Sequence, residues 1–342
     1  MFEIKSRGSY YDIGLSYGKH LIAQKEIGFP PKFSEENIEK SKAYEKAVND
    51  FCPGILDEFR GMAESCDVDY QTLIANECTP FRLKPQCLVF GIKGEYTKSG
   101  NPLLVRNHEW EEDEWKYLTI CTVQPKGKLA SYGFTFSWPL VSRYGGTNEA
   151  GLTLSGASTS FKNSGPGVIM NIAMRWILDS FKSTEEAVEF IEEIPKVWGT
   201  NYIIIDKNST LAKIEAHREK TLVTYSENGF DMVSLTFEDP TMRKFTPDES
   251  LEIIELFETR KSFLNTWFSK NKGEITQDSI IKILQECDNK LHNHNYNEDG
   301  TKGKSWTCWS WIASPKLDEV LICPAAPCKN DFKPFKIDYL FS

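Results

Sequence analysis

One cysteine stands where the pattern of the chain changes from helical to extended, and its position would suit a nucleophile. Cys87 follows a segment with helical patterning and precedes a short apolar run, residues 88–92, that is typical of a strand. A cysteine attacks a carbonyl carbon as its thiolate, so it needs a neighbouring base or cation. A lone cysteine is also commonly a small buried hydrophobic residue, and the residue type alone leaves both interpretations open.

A second predicted strand, residues 103–107, begins with apolar residues and turns abruptly into charged ones. If it pairs with residues 88–92 as a hairpin through the turn at Gly100, Cys87 and residues 106–109 lie at the same end. The guanidinium of Arg106 would then favour the thiolate, and the Glu109 carboxylate would orient Arg106 or a protonated amine. The alternative is a surface Arg/Glu pair at a strand end, which contributes little to stability.

The segment from Arg143 to Leu152 contains two adjacent glycines before Asn148. Glycine and asparagine at such positions are typical of a turn between two strands. Glycines also let backbone N–H groups approach a substrate closely. The spacing by itself does not choose between a hairpin and a binding loop.

Composition excludes several classes of protein. The chain has 342 residues, of which 40% are hydrophobic and 26% charged, with a net charge of −9. These values indicate a globular protein, and the absence of a long basic run argues against nucleic acid as a partner. We see no signal sequence or membrane span, and the nine irregularly spaced cysteines are typical of reduced thiols. We therefore expect a cytoplasmic protein without a membrane partner.

The order of predicted elements indicates an α+β fold. Residues 1–86 are mainly helical, and helix pairs are expected within residues 171–195 and 247–287. Strands are expected at residues 88–92, 103–107, 117–123, 129–136, 151–155, 202–206, 212–216, 221–225, 306–312 and 319–323. Two sheets, each covered by helices on its outer face, would bury this pattern as a four-layer αββα sandwich.

Several motifs, in order along the chain, resemble the isopenicillin N acyltransferase-like family of Ntn hydrolases, which is related to choloylglycine hydrolases and penicillin V acylases. The resemblance covers nearly the whole chain. It is carried by Gly8-Ser-Tyr-Tyr-Asp-Ile-Gly14, Pro53-Gly-Ile-Leu-Asp-Glu-Phe-Arg-Gly61, Cys87, Arg106-Asn107-His-Glu109-Trp110, Gly146-Thr-Asn148-Glu-Ala-Gly151-Leu152, Trp306-Thr-Cys-Trp-Ser-Trp and Cys323-Pro-Ala-Ala-Pro-Cys328.

The resemblance implies the αββα Ntn fold and a chain that cuts itself between Gln86 and Cys87. Residues 1–86 would then be a leader that packs on the catalytic domain, residues 87–342, and both fragments would stay associated. The freed α-amine of Cys87 would be the general base for attack on a small amide or acyl substrate. No cofactor or metal is implied, and a homo-oligomer is compatible with the resemblance.

Site residues follow from the matched positions. Arg106 and Glu109 would orient the nucleophile, Ser158 matches a position whose backbone N–H binds the oxyanion, and Arg260 matches a late arginine of the family. We assign substrate binding to the motif residues Asn107, Arg143 and Asn148.

The chain departs from the family pattern at several positions. Glu109 stands where the family usually has Asp, Leu88 where it has a small hydroxyl residue, and Gln86 where it often has Gly. The side-chain Asn that the family places after residues 221–225 has no match, and Ser234, Thr236 and Asn228 remain candidates for its role. These departures motivate an alternative function, a non-catalytic or unprocessed ligand-binding protein with the same fold.

Three smaller features favour structural interpretations. His292 and His294 lie in a segment rich in Asn, Asp and Gly, which is more typical of a solvated turn than of a metal site. Cys323 and Cys328 flank prolines without a second pair of ligands, so we predict no zinc site there. Trp306, Trp309 and Trp311 alternate as core residues would, although one of them could line an acyl pocket.

Overall fold

The computed structural model describes residues 1–24, 32–80, 87–110, 117–136, 139–159, 163–246, 251–293 and 306–339. The helices are α1 Tyr10–Ala23, α2 Glu35–Phe51, α3 Ile55–Cys66, α4 Tyr70–Glu77, α5 Met170–Ser180, α6 Thr184–Glu193, α7 Pro240–Arg243, α8 Leu251–Lys270 and α9 Gln277–Gln285. The strands are β1 Phe2–Gly8, β2 Leu88–Ile92, β3 Leu103–Trp110, β4 Leu118–Pro125, β5 Ser131–Phe136, β6 Gly145–Asn148, β7 Leu152–Ser158, β8 Thr200–Asp206, β9 Leu211–Ala216, β10 Thr221–Tyr225, β11 Phe230–Val233, β12 Trp306–Ala313, β13 Glu319–Pro324 and β14 Lys333–Lys336.

The strands form an eight-stranded and a six-stranded sheet. The order in the first is β1-β4-β5-β6-β7-β8-β9-β10, and the order in the second is β11-β2-β3-β12-β13-β14. Apolar side chains fill the space between the sheets, among them Ile120, Phe134, Val89, Leu104 and Trp311. Burial of both inner faces holds the sheets together, as expected from the alternating pattern of the strands.

Helices cover both outer faces, which completes the four layers predicted from the sequence. The core outside the eight-stranded sheet contains residues of α1, α3, α5 and α6. The core outside the six-stranded sheet contains residues of α8 and α9, including Phe257, Leu264 and Ile280. The fold is therefore a four-layer αββα sandwich.

The helix ends follow local sequence signals. Ser34 caps α2 through the N–H of Asn37, and Ser183 forms a capping box with Glu186 at the start of α6. These caps satisfy N–H groups that have no partner within the helix. The third helix begins at Ile55, directly after Gly54, which adopts a left-handed backbone conformation (φ 97°).

The segment before Cys87 is built into the core at two places. Its first strand, β1, pairs in parallel with β4, from Phe2 opposite Thr119 to Gly8 opposite Pro125. The leader predicted as helical therefore also supplies an edge strand, which was not expected. Glu58 of α3 makes a buried ion pair with Arg175 of α5, with oxygen–nitrogen distances of 2.7 and 3.0 Å. Since both side chains are excluded from water, this pair ties the leader to the sandwich.

No helix within the described ranges is both long and apolar enough to cross a bilayer.

Candidate active site

Cys87 lies immediately before β2, at the end of a hairpin that brings the predicted charged residues beside it. Strands β2 and β3 pair antiparallel, with Leu88 opposite Asn107 and Val89 opposite Arg106. The expected hairpin is therefore present. Because side chains alternate across a strand, Arg106 and His108 point between the sheets, and Asn107 and Glu109 point towards the outer helices.

Arg106 holds the thiol of Cys87 from the space between the sheets. Its Nη2 lies 2.9 Å from Cys87 Sγ. The opposite nitrogen, Nη1, donates to Ser155 Oγ at 2.7 Å and to the Gly156 carbonyl at 2.8 Å, and also to the carbonyl of Tyr144. These contacts with β7 fix the guanidinium in place, and the arginine is fully buried. A fixed, desolvated cation beside a thiol favours its ionised form.

His108 is a second neighbour of the thiol, and the sequence assigned it no role. Its Nδ1 lies 3.0 Å from Arg106 Nη2 and 3.9 Å from Cys87 Sγ. Burial and the Arg106 charge hold the pKa of His108 well below its usual range, so the ring is neutral. Arginine can only donate, so Nδ1 is the acceptor and Nε2 carries the proton. The ring stacks on Trp309 with centroids 3.8 Å apart.

The backbone of Cys87 is held from the other side of the sheet by a chain of polar contacts. Its carbonyl accepts a hydrogen bond from Ser234 Oγ at 2.9 Å, and Arg260 Nη1 donates to the same hydroxyl oxygen at 3.3 Å. Arg260 Nη2 also pairs with Glu109 Oε1 at 2.5 Å. The backbone N–H of Glu109 faces the thiol of Cys87 and acts to lower its pKa. The structure thus brings Cys87, Arg106, Glu109 and Arg260 together.

Among the candidates for the unmatched asparagine, Ser234 is the one that contacts Cys87. Thr236 directs its hydroxyl to the carbonyl of Phe237, and Asn228 is exposed in the loop before β11. The sequence analysis missed Asn201 of β8, whose Nδ2 donates to the carbonyls of Ser234 and Thr236 at 3.2 and 2.9 Å. A buried asparagine next to the apolar residues 202–205 of β8 was the signal that could have identified it.

The three residues assigned to substrate binding have other partners. Asn107 Nδ2 donates to the Leu291 carbonyl at 2.7 Å. Arg143 donates to Tyr17 Oη at 2.6 Å and to nearby carbonyls, and Asn148 Nδ2 donates to the Leu178 and Phe181 carbonyls at the end of α5. The structure gives Arg143 and Asn148 structural contacts and does not bring them to Cys87.

The two glycines of the same motif serve sheet packing. Gly145 and Gly146 belong to β6 and pair with β7. Gly145 has a φ of +141°, and a Cβ there would lie 2.7 Å from Trp311 Cζ2. Only glycine fits this backbone and this close contact. Of the two interpretations left open by the sequence, the hairpin is the one found.

Ser158 lies at the C-terminal end of β7, opposite Thr200. The same strand carries Ser155 and Gly156, which bind Arg106. Ser158 is buried, and it follows Gly156 by two residues on the strand that borders the nucleophile. Its backbone therefore lies on the strand that holds Arg106, and its role in binding the oxyanion stays a prediction.

Two features of Cys87 itself bear on its chemistry. Burial raises the pKa of the thiol, while Arg106 and the Glu109 N–H oppose that rise. Its φ is +132°, which lies in a region that residues with a side chain rarely adopt. Such backbone strain costs about 1–3 kcal/mol and collects at functional sites. The strained residue is the one whose preceding peptide bond the family resemblance marks for cleavage.

Removing the Arg106 charge is expected to slow alkylation of Cys87. In Arg106→Met the buried thiol loses its only described cationic neighbour, so its pKa rises further. Iodoacetamide should then label it more slowly, by up to about tenfold. Arg106→Lys keeps the charge and should fall between Arg106→Met and the parent chain. Site-resolved mass spectrometry measures the rates, with the exposed Cys287 as internal control. An unchanged rate in Arg106→Met would contradict the role given to this arginine.

The neutral, buried state of His108 predicts that acid destabilises the fold. In the unfolded chain an imidazole takes up a proton below pH ~6.5, whereas folded His108 remains neutral to much lower pH. The folded state therefore loses about 1.4 kcal/mol relative to the unfolded state between pH 7.5 and 5.5. His108→Phe, which can keep the stack on Trp309, should remove that share of the loss. Urea unfolding at both pH values tests this, and equal pH dependence in the two proteins would refute it.

A family model described as "Acyl-coenzyme A:6-aminopenicillanic acid acyl-transferase" matches residues 96–323, about two thirds of the chain. The match includes Arg106, Glu109, Ser158 and Arg260 and begins after Cys87. A search of curated protein sequences gave no match.

Several solved structures resemble this chain at low sequence identity. Penicillin V acylase from Agrobacterium tumefaciens superposes with a TM-score of 0.50 at 14% identity, covering 75% of this chain and 87% of that one. A mutant conjugated bile acid hydrolase from Clostridium perfringens gives 0.48 at 15% identity, with coverage of 73% and 97%. A Caenorhabditis elegans orthologue of N-acylethanolamine-hydrolyzing acid amidase gives 0.48 at 13%, with coverage of 68% and 94%.

The extent of the family match and the αββα sandwich point to the same conclusion. The chain belongs to the acyl-coenzyme A:6-aminopenicillanic acid acyl-transferase family.

Proposed function

We propose that the chain is a cysteine Ntn hydrolase that cleaves a small linear amide, or transfers its acyl group, through an acyl-enzyme on Cys87. The observation that carries the proposal is the thiol of Cys87, held 2.9 Å from the Arg106 guanidinium at the start of β2. Membership of an acyltransferase family supports acyl transfer as the reaction type.

We infer that Cys87 becomes an N-terminal residue by self-cleavage. Sγ would attack the carbonyl carbon of Gln86, and the peptide nitrogen of Cys87 would leave with a proton, giving a thioester. Water would then hydrolyse the thioester to a carboxyl group on Gln86 and a free thiol. The strained φ of Cys87 and the hydrogen bond from Ser234 to its carbonyl support this step, because they fix the backbone of the attacking residue.

The freed α-amine would then act as the base for substrate turnover. An α-amine has an ordinary pKa of about 7.7–8.0, which suits proton transfer near neutral pH. It would take the thiol proton as Sγ attacks the substrate carbonyl, and it would return the proton to the leaving amine. His108 does not fill this role in the arrangement described, because its Nδ1 already accepts from Arg106. Water or a second amine would release the acyl group.

The surroundings of the thiol favour an apolar acyl group. His108 is packed against Trp309, Tyr144, Phe136 and Trp110, with ring centroids 3.8–6.2 Å apart. These aromatic groups make the surroundings of the nucleophile largely apolar, which would favour an apolar acyl chain. The backbone N–H at Ser158 would stabilise the oxyanion, and loss of such a donor typically costs about 10²–10³ in rate.

Intact mass and amide turnover, measured on one purified sample, test the proposal. We expect two fragments that meet between Gln86 and Cys87, and hydrolysis of p-nitroanilides or aminocoumarin amides that carry apolar acyl groups. The acyl-enzyme should add the mass of the acyl group to the fragment that starts at Cys87. An uncut chain without turnover would instead favour the ligand-binding alternative, which the raised pKa of the buried thiol also supports.

A further inference from the structure

Two cysteines and a histidine, side chains that commonly bind zinc, meet at a site that the proposed function does not use. They are Cys287 after α9, His292 in the following segment and Cys328 in a short 3-10 helix near the C-terminus. One ligand atom from each lies within 4.8 Å of the others, and Cys287 Sγ is 4.0 Å from His292 Nε2. Cys287 is 41 residues from Cys328 in the chain, so the sequence places only Cys323 near Cys328 and gives no sign of this cluster.

The arrangement is close to the geometry of tetrahedral zinc. Zinc binds Cys sulfur at about 2.3 Å and His nitrogen at about 2.0–2.1 Å, so neighbouring ligand atoms lie roughly 3.5–3.8 Å apart. The observed separations exceed these values by about 1 Å or less, which side-chain rotation can close. Two thiols and an imidazole select zinc over magnesium or calcium, which prefer oxygen.

We propose that Cys287, His292 and Cys328 bind a zinc ion, with a fourth position open to water. Two thiols would lose their protons on binding, and neutral His292 would supply Nε2. The exposed Cys287 gives the ion a route from solvent, whereas His292 is buried and fixed. Because protons compete with zinc for both thiols, binding would weaken in acid.

The site would clamp the segment that supports the candidate active site. His292 lies between Leu291, whose carbonyl accepts from Asn107 Nδ2 at 2.7 Å, and Asn293, whose Oδ1 accepts from Arg260 Nη2 at 3.3 Å. An ion held by His292 and by Cys328 of another segment would restrain this stretch. Zinc would therefore be a structural brace behind the Glu109–Arg260 pair, whether or not Cys87 is catalytic.

Metal binding by the full-length chain tests the proposal without an activity assay. We expect one zinc per chain by elemental analysis after addition of Zn²⁺ and desalting, and an apparent melting temperature a few degrees higher. Cobalt should give tetrahedral d–d bands and a sulfur-to-cobalt charge-transfer band. Cys287→Ser, at an exposed position that folding tolerates, should weaken zinc binding by roughly 100-fold or more, and Cys328→Ser should do the same.

Cys66→Ala, which removes a buried thiol of α3, is the matched control and should bind zinc as the parent chain does. A zinc content far below one ion per chain, or equal zinc affinity in Cys287→Ser, would overturn the proposal. A disulfide between Cys287 and Cys328 would also overturn it if the chain still bound no metal after reduction. The disulfide would be seen as the loss of two hydrogen masses. Because the readout is metal content, failure here leaves the function proposed for Cys87 untouched.

Discussion

Cys87→Ala is expected to abolish both self-cleavage and amide turnover, with a loss of roughly 10⁴-fold or more. The reason is chemical, since alanine offers no atom that can form the acyl-enzyme, and loss of a nucleophile in comparable hydrolases costs about 10⁶. The substitution should not unfold the chain, because it replaces a small buried side chain by a smaller one. Intact mass and steady-state hydrolysis, measured together, test it.

Two variants make this result specific. Cys121→Ala removes another buried thiol, on β4, and should leave turnover unchanged. Cys87→Ser keeps a nucleophilic oxygen at the same position, so slow self-cleavage with little turnover is expected. If Cys87→Ala still hydrolysed amides at the parent rate, Cys87 would not be the nucleophile and the proposed function would fail.

Arg260→Met is expected to lower the free energy of unfolding by about 3–5 kcal/mol and to remove turnover. It leaves the buried carboxylate of Glu109 without its cation, and an unpaired charge inside a protein is costly. It also frees the Ser234 hydroxyl that binds the Cys87 carbonyl, so the nucleophile loses part of its support. Urea unfolding and hydrolysis assays measure the two effects.

The double variant Arg260→Met with Glu109→Leu separates stability from function. With both charges gone, much of the lost stability should return, because apolar side chains can replace a buried ion pair. Turnover should stay low, since Ser234 remains unsupported. Arg60→Met, at an exposed pair with Asp57, is the control and should change stability by at most about 1 kcal/mol. Full activity in the double variant would contradict the positioning role of Arg260.

Local features of the fold were predictable from sequence because their causes are local. The hairpin of β2 and β3 follows from two apolar runs joined through Gly100, and it placed Arg106 and Glu109 beside Cys87. The start of α6 follows from the capping box Ser183–Glu186. In such cases the residues that cause the structure lie within a few positions of each other.

Contacts between distant segments could not be derived in this way. Ser234 reaches the carbonyl of Cys87 across 147 positions of sequence, and periodicity carries no information about such a pairing. Arg260 was assigned from family resemblance alone, and its ion pair with Glu109 appears only when α8 is packed on the sheet. His108 was overlooked because a histidine in a strand is ordinary until its neighbours are known.

Strand β1 constrains the order of events during biosynthesis. Its partner residues, Thr119 to Pro125, emerge from the ribosome only after the four leader helices and the hairpin that carries Cys87. The Gln86–Cys87 bond therefore lies inside the loop of chain that β1 and β4 close. A cut made before this closure would release the first segment into solution. A cut made afterwards leaves that segment held by the pairing of β1 with β4. If cleavage occurs after this closure, the first segment remains bound as a non-covalent subunit. If the chain is cut earlier, the edge of β4 is exposed to other molecules.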